Sequence, residues 1–141
     1  TRLEALDNIA VNELRRLIVS EGLSFNEARE GIQEILLKNR LLKNTDKGYW
    51  TLEFDSNAVD YCIYDKLSLE SISKVLFMTD GFFAIHSSYS YFSIKDLISF
   101  VDKEGLEEVY KILRNIEEED KECYRYPRFK KGDDASAIYI K

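Results

Sequence analysis

Apolar residues at Leu3, Leu6, Ala10, Leu14, Leu17 and Ile18 recur at spacings of three and four. That period puts them on one face and predicts a helix over 3–20, ended at Gly22 by a residue free to take left-handed backbone. Ser24 and Glu27 then have the S-x-x-E spacing of a capping box; each side chain can satisfy a backbone N–H of the other. Phe25, Ala28, Ile32, Ile35 and Leu36 continue as the stripe of a second helix over 24–38, with Asn39 as its stop. The period then changes. Asn44 to Gly48 has turn chemistry. Tyr49 to Phe54 alternates, with Trp50, Leu52 and Phe54 on one side and Tyr49, Thr51 and Glu53 on the other, which predicts a strand.

Residues 55–67 read equally as short helix or strand. Ser68 caps a predicted helix with Leu69, Ile72, Val75 and Leu76 inside, ending at Asp80-Gly81. Gly81 to His86 is a short apolar run and reads as a buried strand; a turn at 87–90 and Tyr91-Phe92 would make it a hairpin. Ser93, with Asp96 three residues on, caps a helix with Ile94, Leu97, Ile98 and Val101 inward. Gly105 breaks it, and Leu106, Val109, Leu113 and Ile116 define one more helix. Ala135 to Ile140 reads as a final strand. The expectation is an α+β fold, mainly helical, with small antiparallel β-hairpins. It divides near residue 56 into an N-terminal helix-helix-hairpin unit (1–55) and a helical α+β lobe (56–141), packed as one domain.

The first unit resembles a winged-helix domain. The residues that carry the likeness are Leu37-Lys38-Asn39-Arg40-Leu41-Leu42-Lys43, followed by Gly48-Tyr49-Trp50: a helix ending in alternating leucines and cations, then a glycine-aromatic strand. The likeness spans about 45 residues. The family sets three helices before its wing, whereas the sequence shows two. The resemblance implies a recognition helix at 24–38 and a basic wing whose Lys38, Arg40, Lys43 and Lys47 contact phosphates of nucleic acid. The helix itself is acidic on its polar side, with Glu27, Glu30 and Glu34 against Arg29, a pattern that repels phosphates.

Charge sharpens this opposition. The 141-residue chain carries a net −6, with 33% charged, 45% hydrophobic and 13% aromatic residues. Each of the stretches 1–55, 56–100 and 101–141 holds a net −2, so none is a basic module and any nucleic-acid contact must rest on local clusters. One such cluster is Tyr124-Arg125-Tyr126-Pro127-Arg128-Phe129-Lys130-Lys131, where four cations alternate with three aromatics. Bases stack on rings and cations meet phosphates, so Arg125, Arg128, Lys130 and Lys131 are candidate nucleic-acid contacts. The acidic run Glu117-Glu118-Glu119-Asp120 lies immediately upstream. It supports two other readings: the basic loop pairs with it inside the molecule, or these carboxylates, with Tyr124 and Tyr126, capture a basic protein.

No chemistry-bearing motif appears. His86 is the one histidine and Cys62 and Cys123 lie 61 positions apart, which suits neither a metal site nor a disulfide framework. The thiols are expected to be buried, in a reducing cytoplasm. No phosphate-binding glycine loop, zinc motif or nucleophile elbow occurs. Asp60 and Asp65, flanked by apolar residues, are the nearest to a catalytic pair. No apolar run reaches the ~18 residues of a membrane span, and no signal peptide is visible. The opening Thr1, in place of Met, leaves room for sequence upstream. The expectation is a non-enzymatic, cofactor-free binding protein. It is either a winged-helix-like nucleic-acid-associated regulator or an acidic inhibitor or immunity-type module that captures a basic protein, with homo-oligomerisation left open.

Overall fold

The computed structural model describes residues 1–54 and 56–141, without the side chain of Leu69. The fold is α+β and mainly helical. Among the described residues six α-helices run in the order α1 (Arg2–Ser20), α2 (Phe25–Gly31), α3 (Gln33–Leu41), α4 (Asp80–Ser87), α5 (Ile94–Glu104) and α6 (Leu106–Glu119). Two strands, β1 (Val75–Met78) and β2 (Ala137–Ile140), form one antiparallel sheet, and short 3₁₀ turns cover Ser56–Tyr61 and Leu69–Ser71. The chain divides into two compact units. The first comprises 1–66 together with Pro127–Phe129, and the second 67–126 with 130–141. The division therefore falls ten residues beyond the change of pattern near 56.

In the first unit α1 forms as the apolar spacing requires, with Ala10, Leu14, Leu17 and Ile18 buried. The Ser24–Glu27 capping box is present in both directions and starts α2. The helix expected over 24–38 is two helices. Ile32 sits between them at φ −94° and ψ 2°, off helical values, although Ile32 N still donates to Ala28 O and Leu36 N to Ile32 O. Beside it, a Cβ on Gly31 would stand 2.9 Å from Leu17 Cδ1, so α2 passes close to α1 there. Three helices consequently precede the 42–48 turn. Asn39 Nδ2 ties α3 to α1 through Leu6 O at 3.0 Å. Arg29 Nε donates to Phe129 O at 3.0 Å and holds the 127–129 segment in this unit.

The strand expected over 49–54 does not form. Asn44, at φ 54°, donates its backbone N–H to Tyr49 O at 2.8 Å. Its side chain then takes over what a facing strand would supply: Oδ1 accepts from Thr51 N at 2.7 Å and Nδ2 donates to Glu53 Oε1 at 2.7 Å. Gly48 is forced by contact rather than by dihedral, since a Cβ there would lie 2.0 Å from Leu42 O.

The second unit corrects two assignments. Val75–Met78 is a strand, not the end of a helix, because its partner is β2, in the register Val75↔Ile140 to Met78↔Ala137. Gly81 to His86 is helical, within α4, and no strand pairs with Tyr91-Phe92. Phe82, Ile85 and Tyr89 recur at three and four residues and are buried with Leu97, Val101, Val109 and Leu113. Leu76, Met78, Ala137 and Tyr139 close this core from one face of the sheet. The opposite face, with Phe77 58%, Ile138 63% and Ile140 51% exposed, is open. α5 starts at Ser93, whose Oγ accepts from Asp96 N at 3.1 Å, and ends at Gly105 with φ 90°.

Candidate functional site

Within the first unit a cleft of about 690 Å³ lies between the start of α1 and the 46–51 turn. Tyr49, Trp50, Thr51, Leu3 and Tyr61 line it, with Arg2 and Asp46 at its polar end. The Trp50 and Tyr61 rings stack face to face, centroids 3.8 Å apart and planes 5° from parallel. Arg2 Nη1 donates to Asp46 O and fixes the turn to α1. The 3₁₀ turn at Ser56–Tyr61 brings Tyr61 back onto Trp50, and Ala58 of that turn is buried. Beyond the cleft, Leu52, Phe54, Val59, Ile63 and Tyr64 are all exposed, Leu52 at 83% and Ile63 at 98%.

Two of the four cations implied as phosphate contacts are held by carboxylates. Lys38 pairs with Glu34 one turn back on α3 at 2.8 Å, and Lys43 with Glu53 at 2.5 Å. Each pairing holds its carboxyl below the usual range, first through the hydrogen bond from the lysine. Arg40 and Lys47 are exposed and meet no carboxylate among the described residues. Glu27 accepts from Ser24 N at 2.9 Å, so one of the three acids of the expected recognition face acts as a cap.

The basic-aromatic stretch divides between the two units. Arg128, half-buried, belongs to the first. In the second, Lys130 pairs with Asp133 at 2.7 Å and Lys131 with Glu122 at 2.8 Å. The Arg125 guanidinium lies over the Tyr126 ring, 5.0 Å from its centre. The acidic run also has internal roles. Glu117 is buried, accepts from Tyr89 Oη at 3.3 Å and pairs with Arg114, whose other nitrogen donates to Asp133 O at 2.7 Å. Asp120 is buried and accepts from three successive amides, those of Tyr124, Arg125 and Tyr126, at 2.9, 2.9 and 3.0 Å. Glu118 pairs with Lys121. Glu119 and Tyr124 face solvent, while Tyr126 is half-buried and meets Tyr89 edge-on at 5.1 Å.

Sequence reasoning passed over two features of this molecule. One is the Trp50–Tyr61 pair, which depends on a 3₁₀ turn in a stretch with no periodic signal. The other is Asp102 on α5, which accepts from Tyr139 Oη at 2.9 Å and pairs with Lys74 and Lys141 at 2.5 and 2.8 Å. Hydrogen bonds from Lys141, Lys74 and Tyr139 hold its carboxyl well below the usual range. Cys62, expected to be buried, follows the 3₁₀ turn and is exposed; Cys123 is buried as expected. Asp60 and Asp65 are both exposed and share no apolar setting. His86 Nδ1 meets Phe92 O at 2.8 Å, a structural contact. Among the described residues no group of three or more His, Cys, Asp or Glu is placed to hold a metal ion, and no helix is long and apolar enough to cross a membrane. Comparison with known proteins adds no relative: no family model, no curated protein and no solved structure matches this chain.

Proposed function

We propose that this chain is a non-catalytic binding protein that engages another protein, with the first unit supplying the apolar part of the contact. One observation carries the reading: the aromatic cleft of Tyr49, Trp50 and Tyr61 adjoins a segment whose Leu52, Phe54, Ile63 and Tyr64 face solvent. Tyr and Trp combine large apolar area with few rotatable bonds, and they concentrate binding energy at protein interfaces. Phosphate recognition instead needs cations free to neutralise the backbone. Here Lys38, Lys43, Lys130 and Lys131 already face carboxylates. The net −6 suits a partner of opposite charge.

The test is a paired substitution in the tagged full chain. Phe54→Asp with Ile63→Asp should remove the partner while circular dichroism stays unchanged. Lys43→Glu with Arg128→Glu should leave it bound. The reverse pattern contradicts the reading.

The winged-helix-like, nucleic-acid-associated alternative keeps one supporting observation. Three helices precede the 42–48 turn, and Arg40 and Lys47 stand beside it without carboxylate partners among the described residues. Fluorescence anisotropy with labelled duplex and single-stranded DNA at about 50 mM salt separates the two. Saturable binding, lost in Arg40→Glu with Lys47→Glu, would favour the alternative.

A further inference from the structure

Within the second unit a cleft of about 290 Å³ lies between Tyr91, Ile116, Glu119, Asp120, Arg125 and Tyr126. Tyr91 and Tyr126 supply ring surface, Ile116 an apolar wall, and Glu119 a solvent-facing carboxylate with no partner among the described residues. Asp120 contributes negative potential, although its oxygens are engaged by the amides of 124–126. Ring faces and a carboxylate suit a cation: the quadrupole attracts positive charge, and the carboxylate adds a charge-assisted hydrogen bond.

The ring of Tyr126 shows that this wall accepts a cation. The chain's own Arg125 guanidinium already lies over Tyr126, 5.0 Å from the ring centre. One wall of the cleft thus carries a basic side chain, in the geometry an incoming one would use. Tyr91, 55% exposed, offers its ring with no guanidinium or ammonium over it among the described residues. Its position is fixed from below, since Tyr91 N donates to Ile85 O at 3.0 Å and its ring meets Phe92 edge-on at 4.8 Å.

We infer that this cleft receives a lysine or arginine side chain of a basic polypeptide partner, seated against Tyr91 and Tyr126 and paired with Glu119. The inference rests on the protein-partner reading above and adds to it the class of residue recognised in the second unit. Arg125 acts as the internal competitor: it shares the Tyr126 wall and repels an incoming cation.

The probes are the tripeptides Ac-Gly-Lys-Gly-NH2 and Ac-Gly-Arg-Gly-NH2, with Ac-Gly-norleucine-Gly-NH2 as the neutral control. Each is titrated into the full chain while the amide resonances of Tyr91 and of residues 119–126 are followed. Both cationic peptides should give saturable shifts there and the norleucine peptide none. Tyr91→Ala should weaken binding about two- to fivefold, the worth of one exposed cation–ring contact. Glu119→Gln should weaken it by at least as much, and Arg125→Ala should strengthen it. The rest of the spectrum reports that each variant is folded. No saturable shift, an equal response to norleucine, or affinity unchanged by Glu119→Gln overturns the inference. The titration contains no partner protein and does not involve the first unit, so its failure is distinguishable from failure of the substitutions at Phe54 and Ile63.

Discussion

The indole of Trp50 lies flat on the ring of Tyr61, with centroids 3.8 Å apart. This pair joins the 46–51 turn to a 3₁₀ turn that local sequence barely specifies, and it builds the wall of the first unit's cleft. Offset or stacked aromatic pairs contribute about 0.5–1.5 kcal/mol beyond their buried area. Tyr61→Ala should therefore destabilise the first unit by about 1 kcal/mol. It should also shift the emission of the one tryptophan to longer wavelength. Urea unfolding followed by that emission measures both, and an unchanged midpoint and maximum would refute the pairing.

Asp120 closes the turn after α6 by accepting three consecutive amides. Asp120→Ala strands three donors beside a buried site, at a cost of about 3 kcal/mol given the strength of bonds to a charged acceptor. Asp120→Asn keeps the shape, and Oδ1, which serves Tyr124 and Arg125, can be matched by the amide oxygen. It should cost about half as much. Denaturant midpoints of the two variants give the comparison. Equal losses would mean that the amides do not depend on the carboxylate.

These two cases mark what the sequence carries. α1, α5 and α6 are legible because their burial is periodic and their ends bear Gly22, Ser93 and Gly105. β2 is legible from its β-rich run, but its pairing with β1 is not, because Ala137 meets Met78 across 59 residues of chain. Val75–Met78 looks helical only while that partner is unseen. The run from Phe82 to Ile85 is apolar throughout, so period alone cannot separate helix from strand. The deciding fact is tertiary, in that Phe82, Ile85 and Tyr89 share the core with α5 and α6. The break at Ile32 is not legible, because Ile32 continues the apolar stripe of Phe25 and Ala28 and no proline interrupts the run. At the candidate sites, charge runs are legible as composition. Which cation meets which carboxylate is not, and that pairing decides whether a lysine can serve a phosphate.

Asp102 should make the second unit sensitive to acid. Its folded value lies below its ordinary 3.8, through hydrogen bonds from Lys141, Lys74 and Tyr139. A depressed carboxyl contributes stability that is present above the unfolded value and lost as pH falls through the folded one. Wild type should lose more of its urea midpoint between about pH 6 and about pH 3 than Asp102→Asn does. Lys74 has the opposite sign: held above its ordinary 10.5, first by its bond to Asp102, it contributes below that value and loses the contribution at higher pH. Identical acid slopes in wild type and variant would remove Asp102 from the account.

The central claim is that the solvent-facing apolar groups beside the Trp50–Tyr61 cleft meet a protein. A benzoylphenylalanine placed at Leu52, which is 83% exposed, tests it directly, because on irradiation it forms a covalent bond to whatever lies against that position. The account predicts one discrete protein adduct of the full chain, abolished by Ile63→Asp in the same molecule. An adduct to nucleic acid, or a protein adduct that Ile63→Asp leaves intact, would contradict it.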